Sequence, residues 1–307
     1  MPTDVRDRVF SLGRAPAGRG NRQAAARRRR RARGLVALGV SLAVAVGGIY
    51  AAYGFLDQGQ TLVRERCTAV VGTEEHELDP EQAANAALIA AVSVRRGMPA
   101  RAATIGIATA FQESKLRNID YGDRAGPDSR GLFQQRPSQG WGTQAQVMDP
   151  LYAADRFYEE LVKFDYTALP VTEAAQKVQR SAYPLAYADH EPEGRAYASA
   201  LTGNSPAALN CVLRRSTGPG DPQAVADDLH AAFGVDAAVR GGTVTVSADK
   251  TLGWAVAQWA VANAGNRQVT AVGNAGLLWN RAEDGWVPAS TTDGSVVITL
   301  AGTEGEG

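Results

Sequence analysis

The stretch FQESKLRNIDYGDRAGPDSRGLFQQRP, residues 111–137, decides how this chain is read. It sets Glu113 at the end of an apolar helical run carrying Ile105, Ile107 and Phe111, just before a loop rich in Gly, Asp and Arg. A glutamate at a helix C-terminus is ordinarily a solvated charge, mildly disfavoured by the negative end of the helix dipole. The same location suits a general acid. Partial negative charge, together with burial against Phe111 or Phe133, raises a carboxyl pKa towards neutrality. The irregular segment that follows, 117–147, is long, and such loops in compact domains usually carry function.

Working outward, Asp79-Pro80-Glu81-Gln82 reads as a helix start: Asp79 is the cap, Pro80 takes the first helical position, and Gln82 lies three residues after the cap. Ala84, Leu88, Ala91 and Val92 follow at helical spacing until Gly97, and Pro99 opens the helix that ends at Glu113. Beyond the loop, helices are predicted from Asp149-Pro150 through Phe164, over 172–182, and over 194–201. Residues 79–212 thus form a mainly α domain. A Gly- and Pro-rich linker at 213–221 leads to a small α+β domain at 222–302, with a helix from Pro222, strands near 243–247, 268–279 and 295–300, and a helix over 251–264. Four of the five tryptophans, Trp254, Trp259, Trp279 and Trp286, lie in that unit. Leu252, Ala255, Val256 and Trp259 make one helical face, which reads as core, with glycan binding as the alternative.

The formal charge of zero conceals an asymmetry. Residues 1–33 carry eleven arginines against Asp4 and Asp7; with 21 basic and 30 acidic residues beyond them, the remainder stands at about −9. A tail so rich in charge is predicted to be disordered, with anionic lipids as its partners. Gly34–Leu56 has 23 residues and no charge, long enough for a transmembrane helix at ~1.5 Å per residue. The arginine flank then predicts a single-pass membrane protein, N-terminus cytoplasmic, with a stalk at 57–78 and the C-terminal domains extracellular. A cleavable signal peptide, with Ala43-Val44-Ala45 as cleavage-type residues, is the other reading. Cys67 and Cys211, 144 positions apart, are expected to pair as a disulfide. No metal site is expected, since His76, His190 and His230 are scattered and no cysteine pairs occur. Gly-rich phosphate loops and Ser-His-Asp spacing are absent, no cofactor is implied, and the acidic balance beyond the tail argues against nucleic acid.

Glu113-Ser114 followed by Gly131-Leu132-Phe133-Gln134 resembles the paired motifs of the lysozyme-like, soluble lytic transglycosylase superfamily. There Glu-Ser ends a helix and Gly-Leu-(Met or Phe)-Gln lines the facing wall of the groove. AAQKVQRSAYP, 174–184, is similar to the helix bearing the family's Ala-Tyr motif. The fuller string, with Gln134-Gln135-Arg136-Pro137-Ser138-Gln139-Gly140-Trp141-Gly142, resembles single-span actinobacterial cell-wall proteins. The likeness covers roughly 67–205 and departs in two places. The interval from Glu113 to Gly131 is about three residues longer than the common pattern, with Ala125-Gly126-Pro127 as the insertion. Pro184 stands where the family commonly has Asn.

The resemblance implies a lysozyme-like fold and cleavage of the MurNAc–GlcNAc bond of peptidoglycan glycan strands. Glu113 would act first as general acid and then as base, while the substrate's own N-acetyl group supplies the nucleophile. That explains how one carboxylate serves where glycosidases ordinarily need two. Asp120, Asp123 or Asp128 orienting a water would give hydrolysis instead of a 1,6-anhydro product. Ser114, Gln134, Gln135, Phe133 and Tyr183 are the implied substrate-binding residues; Trp141 offers a further apolar face, and Arg124, Arg130 and Arg136 offer cations for peptide-stem carboxylates. The competing reading is a non-catalytic module of the same fold that holds glycan strands within an envelope assembly, with other envelope proteins as partners.

Overall fold

The computed structural model describes residues 19–57, 63–124, 126–180, 185–248, 250–292 and 294–302. The chain divides into two units, residues 1–61 and 62–307.

In the first unit a single helix, α1 (Arg19–Asp57), runs the arginine cluster and the apolar segment together. Residues 19–33 are therefore helical, and residues 1–18 lie outside the described residues. The expected transmembrane helix at 34–56 is corrected: among the described residues, no helix is long and apolar enough to cross a membrane. Gly39, Ala43, Ala45, Gly47 and Gly48 supply little apolar area per turn, and hydrophobic transfer scales with that area. Absence of charge over 23 positions is a weaker property than apolarity. The single-pass membrane localisation and the membrane contact through this helix fall with the span.

In the second unit, residues given to a stalk form a hairpin, β1 (Arg66–Val71) and β2 (Glu74–Leu78). Strand β3 (Leu209–Val212) pairs antiparallel on the other edge of β1, giving the order β2-β1-β3. Cys67 and Cys211 are partners in that register and are joined by the expected disulfide. Helix α2 (Pro80–Arg95) starts as its sequence predicts, with the Asp79 amide donating to Gln82 Oε1 at 2.9 Å and Pro80 in the first position. α3 (Ala100–Ser114) packs along it, and both are alanine-rich and buried over most of their length. Gly106 marks the crossing with the helix that carries Tyr158. A Cβ there would stand 2.7 Å from the Tyr158 hydroxyl and 2.9 Å from Ile89, so only glycine lets the helices approach. The short α4 (Gln144–Met148), α5 (Pro150–Leu161), α6 (Val171–Gln179) and α7 (Glu191–Leu201) complete this part.

The rest holds α8 (Pro222–Phe233), β4 (Ala237–Arg240), β5 (Thr243–Ser247), α9 (Lys250–Ala262), α10 (Ala264–Arg267), β6 (Val269–Asn274), β7 (Leu277–Asn280), β8 (Trp286–Pro288) and β9 (Ser295–Leu300). Its six-stranded antiparallel sheet runs β4-β5-β9-β6-β7-β8. Val244, Val246, Val296, Ile298 and Leu300 alternate inward, and Thr243, Thr245 and Thr299 outward, the pattern of a sheet covered on one face. The described residues thus form a mixed α/β structure of 49% helix and 18% strand with two antiparallel sheets, which corrects the mainly α class expected for the first part. The smaller sheet takes β1 and β2 from the segment read as a stalk and β3 from the end of the segment read as helical, with β1 and β3 pairing across 144 positions.

Helix α9 is buried from Gly253 to Ala262, packed on β6 and β9 and also against α2, α7 and β3. Residues on both sides of 213–221 therefore share one hydrophobic core. Gln258 joins them: its Nε2 donates to Ala200 O at 2.6 Å and Ser205 O at 3.1 Å, and its Oε1 accepts from the Leu209 amide at 2.8 Å. Trp254, Trp259 and Trp279 are core residues, and the Trp279 and Trp286 indoles donate to Asn210 Oδ1 and Leu209 O, each at 2.9 Å. These tryptophans knit the two parts together.

Candidate active site

The last turn of α3 presents Glu113, and the chain then turns sharply, with Lys115 and Leu116 in the left-handed region at φ 56° and 55°. Their carbonyls are taken up by α2: Gln82 Nε2 donates to Lys115 O at 2.8 Å and Asn85 Nδ2 to Leu116 O at 2.7 Å. The neighbouring helix thereby satisfies groups that a helix end leaves orphaned, and it fixes where Glu113 stands. Ser114 is buried and donates to Leu132 O at 2.7 Å, tying α3 to the turn at Gly131–Gln134. It positions the turn and does not face the cleft.

Gly131 has φ 77°, and a Cβ on it would lie 2.1 Å from Val147 O. From it Leu132 and Phe133 drop into the core, the Phe133 ring stacking on Phe157 at 4.6 Å between centroids. Phe133 is thus an anchor and not a sugar platform. Gln134, at φ 47°, is turned outward and lines the cleft. Gln135 is buried, its Nε2 donating to Ala153 O at 3.0 Å, so its amide nitrogen holds the loop onto α5.

Glu113 is half-buried. The Tyr187 hydroxyl donates to its Oε1 at 2.7 Å. The Gln179 amide also hydrogen-bonds the carboxyl group, and it donates to Phe133 O at 2.7 Å. Burial pushes the Glu113 pKa above its ordinary value; the hydrogen bonds from Tyr187 and Gln179 pull it down, and the negative charge of Asp123 pushes it up. Desolvation dominates, so the side chain is poised to hold a proton at higher pH than a surface glutamate. A cleft of about 660 Å³ opens in front of it, lined among others by Gln134, Gln139, Gln179, Tyr121 and Trp141. Amides and aromatic faces are the groups that bind hydroxyls, acetamides and sugar rings.

The sequence-predicted residues are thus only partly brought together. Tyr183, with residues 181–184, lies outside the described residues. Among the described residues a phenol on Glu113 comes from Tyr187, in a second Ala-Tyr pair, Ala186-Tyr187, four positions on. His190 follows in the same segment: its Nε2 lies 3.0 Å from Gln112 Oε1 and its ring 4.5 Å from that of Phe111, holding residues 187–190 against α3. Gln179 and Tyr121 are further site residues that sequence reasoning missed.

Of the loop carboxylates, Asp128 is committed to Arg136 Nε and the Ser138 amide, both at 3.0 Å. The Ser138 hydrogen bonds hold its pKa well below the carboxylate range. Asp120 is exposed and outside the cleft lining, whereas Asp123 lines it. Arg130 is folded onto Pro127 O and Ser129 O. A smaller cavity of about 360 Å³, between Val71 and α7, has its cation Arg195 already paired with Glu191. Among the described residues no group of three or more His, Cys, Asp or Glu is placed to hold a metal ion. No protein-family model matches this sequence, and no curated protein is similar to it by sequence comparison.

Proposed function

We propose that the chain cleaves the MurNAc–GlcNAc glycosidic bond of peptidoglycan, with Glu113 as general acid and then base. The observation that carries this reading is a half-buried carboxyl group of raised pKa, held by a phenol and an amide at the mouth of an amide- and aromatic-lined cleft. Glu113 in its acid form donates its proton to the glycosidic oxygen, the leaving sugar departs with that hydroxyl, and the carboxylate remains. The carbonyl oxygen of the substrate's 2-acetamido group forms the bond to C1 that the leaving group gave up, a substrate-assisted route open to glycosidases with a single carboxylate. The carboxylate then takes a proton either from the sugar's 6-hydroxyl, whose oxygen bonds C1 and closes a 1,6-anhydro ring, or from a water, whose oxygen bonds C1 and gives a reducing end. In both branches the bond from C1 to the acetamido oxygen breaks and the acetamide is restored. A pKa near the working pH serves both halves of the cycle.

Asp123 is the loop aspartate positioned at the cleft for the hydrolytic branch. Tyr187 steadies the carboxylate once the proton has left. Gln134 and Gln139 offer hydrogen bonds to acetamido and hydroxyl groups, and Tyr121 and Trp141 offer faces to the rings. The test is to incubate the full chain with purified peptidoglycan and weigh the soluble products. Disaccharide-peptide fragments with anhydro or reducing ends are expected. Strands that bind without release of fragments would overturn the enzymatic reading and leave a glycan-holding module.

A further inference from the structure

Two arginines, Arg136 and Arg180, line the cleft that holds Glu113. Arg136 is paired with Asp128. Arg180 is exposed, and among the described residues its guanidinium has no ion pair, while its amide donates to Gln176 O at 2.7 Å. It caps the C-terminus of α6 in the left-handed conformation, φ 53° and ψ 37°. That position favours glycine or asparagine, and a residue with a Cβ is strained there. Arg180 directly follows Gln179, whose amide is bonded to Phe133 O and to the Glu113 carboxyl group. The backbone bearing this cation is therefore pinned one residue from a group that touches the catalytic acid. The negative charge of Asp123 at the cleft would repel an acidic ligand unless a cation met it, and a guanidinium matches a carboxylate in a two-pronged hydrogen bond.

We infer that Arg180 reads a carboxylate carried by the glycan, so that this cleft selects acid-bearing strands over neutral N-acetylglucosamine oligomers. The inference rests on the peptidoglycan reading above and deepens it. Two sources present this chemistry: the lactyl group of muramic acid, free where the peptide stem has been removed, and the carboxylates of the stem itself.

Binding is measured on the full chain carrying Glu113→Gln, so that turnover does not intervene. The three probes are stem-bearing glycan fragments, stem-free fragments with the lactyl carboxylate exposed, and neutral N-acetylglucosamine oligomers of equal length. At low salt at least one acid-bearing probe should bind about tenfold more tightly than the neutral one, and whichever does identifies the source. Added Arg180→Ala should bring that ratio close to one, Arg180→Lys should retain part of it, and raising the salt should shrink it. A ratio that stays near ten in Arg180→Ala, with thermal unfolding matching the parent, overturns the role of Arg180. Equal binding of all three probes overturns carboxylate selection while leaving the peptidoglycan reading standing. Failure of every glycan to bind removes that reading, and this inference with it.

Discussion

Glu113 carries opposing demands. Burial favours its neutral form, whereas Tyr187 and Gln179 are arranged to stabilise the ionised one. Since the net shift is upward, the folded state binds this proton more tightly than the unfolded chain does. The associated stability is fully present below the ordinary glutamate pKa of 4.5 and is lost as pH rises through the folded value. Glu113→Gln removes that liability, so its gain in melting temperature over wild type should be larger at pH 7 than at pH 4, as calorimetry at the two pH values would show. Tyr187→Phe deletes a hydrogen bond that lowers the carboxyl pKa. The alkaline limb of the pH–rate profile, where the general acid loses its proton, should therefore move to higher pH; a limb that stays in place would deny Tyr187 contact with the working carboxylate. Glu113 was legible in the sequence because Glu-Ser closes an apolar helical run. Tyr187 was not, since Ala182-Tyr183 and Ala186-Tyr187 are the same dipeptide four positions apart and nothing local in the sequence tells them apart. Gln179 sits in a helix where glutamine is unremarkable, and nothing local says that its amide reaches the acid.

At the scale of elements, the turn at Gly131–Gln134 sets the facing wall of the cleft. Gly131→Ala brings a Cβ against Val147 O and strains a positive φ, so it should destabilise the protein by about 2–4 kcal/mol in denaturant unfolding and reduce turnover with it. A neutral outcome would mean that the turn readily adopts another path. The motif Gly-Leu-Phe-Gln announced this wall but not which of its side chains faces the cleft. Phe133 faces Phe157 because the left-handed Gln134 reverses the chain after two inward residues, a geometry invisible in composition. The starts of capped helices, such as α2 and α5, were readable to within a residue because Asp79-Pro80 and Asp149-Pro150 state them chemically, whereas α5 ends at Leu161, short of Phe164. β3 was harder, its partner β1 lying far along the chain.

Across the whole molecule, the sharing of one core between residues 67–213 and 225–300 changes what the glycine- and proline-rich linker means. It is a crossing between packed parts and not a hinge between independent ones, so the second unit should unfold in one cooperative transition. Gln258→Leu leaves Ala200 O, Ser205 O and the Leu209 amide without their buried partner and should cost roughly 2–4 kcal/mol in urea unfolding. Two separate transitions, each probed by its own tryptophans, would contradict the shared core. Reducing Cys67–Cys211, which closes a loop of 144 positions, should lower stability by about 2–5 kcal/mol. The shared core could not be read from sequence, because α9 looked like the apolar face of one small domain when it is buried all round. α1 shows the opposite failing, an uncharged run read as a membrane span although glycine and alanine supply much of it.

The central claim is that one carboxyl group moves the proton that breaks a glycan. The direct measurement is the initial rate at which soluble fragments leave purified peptidoglycan, for the full chain and for Glu113→Gln at equal concentration. A fall of at least about a hundredfold is predicted, the lower range for loss of a general acid. Release by the glutamine variant at the wild-type rate would contradict the account.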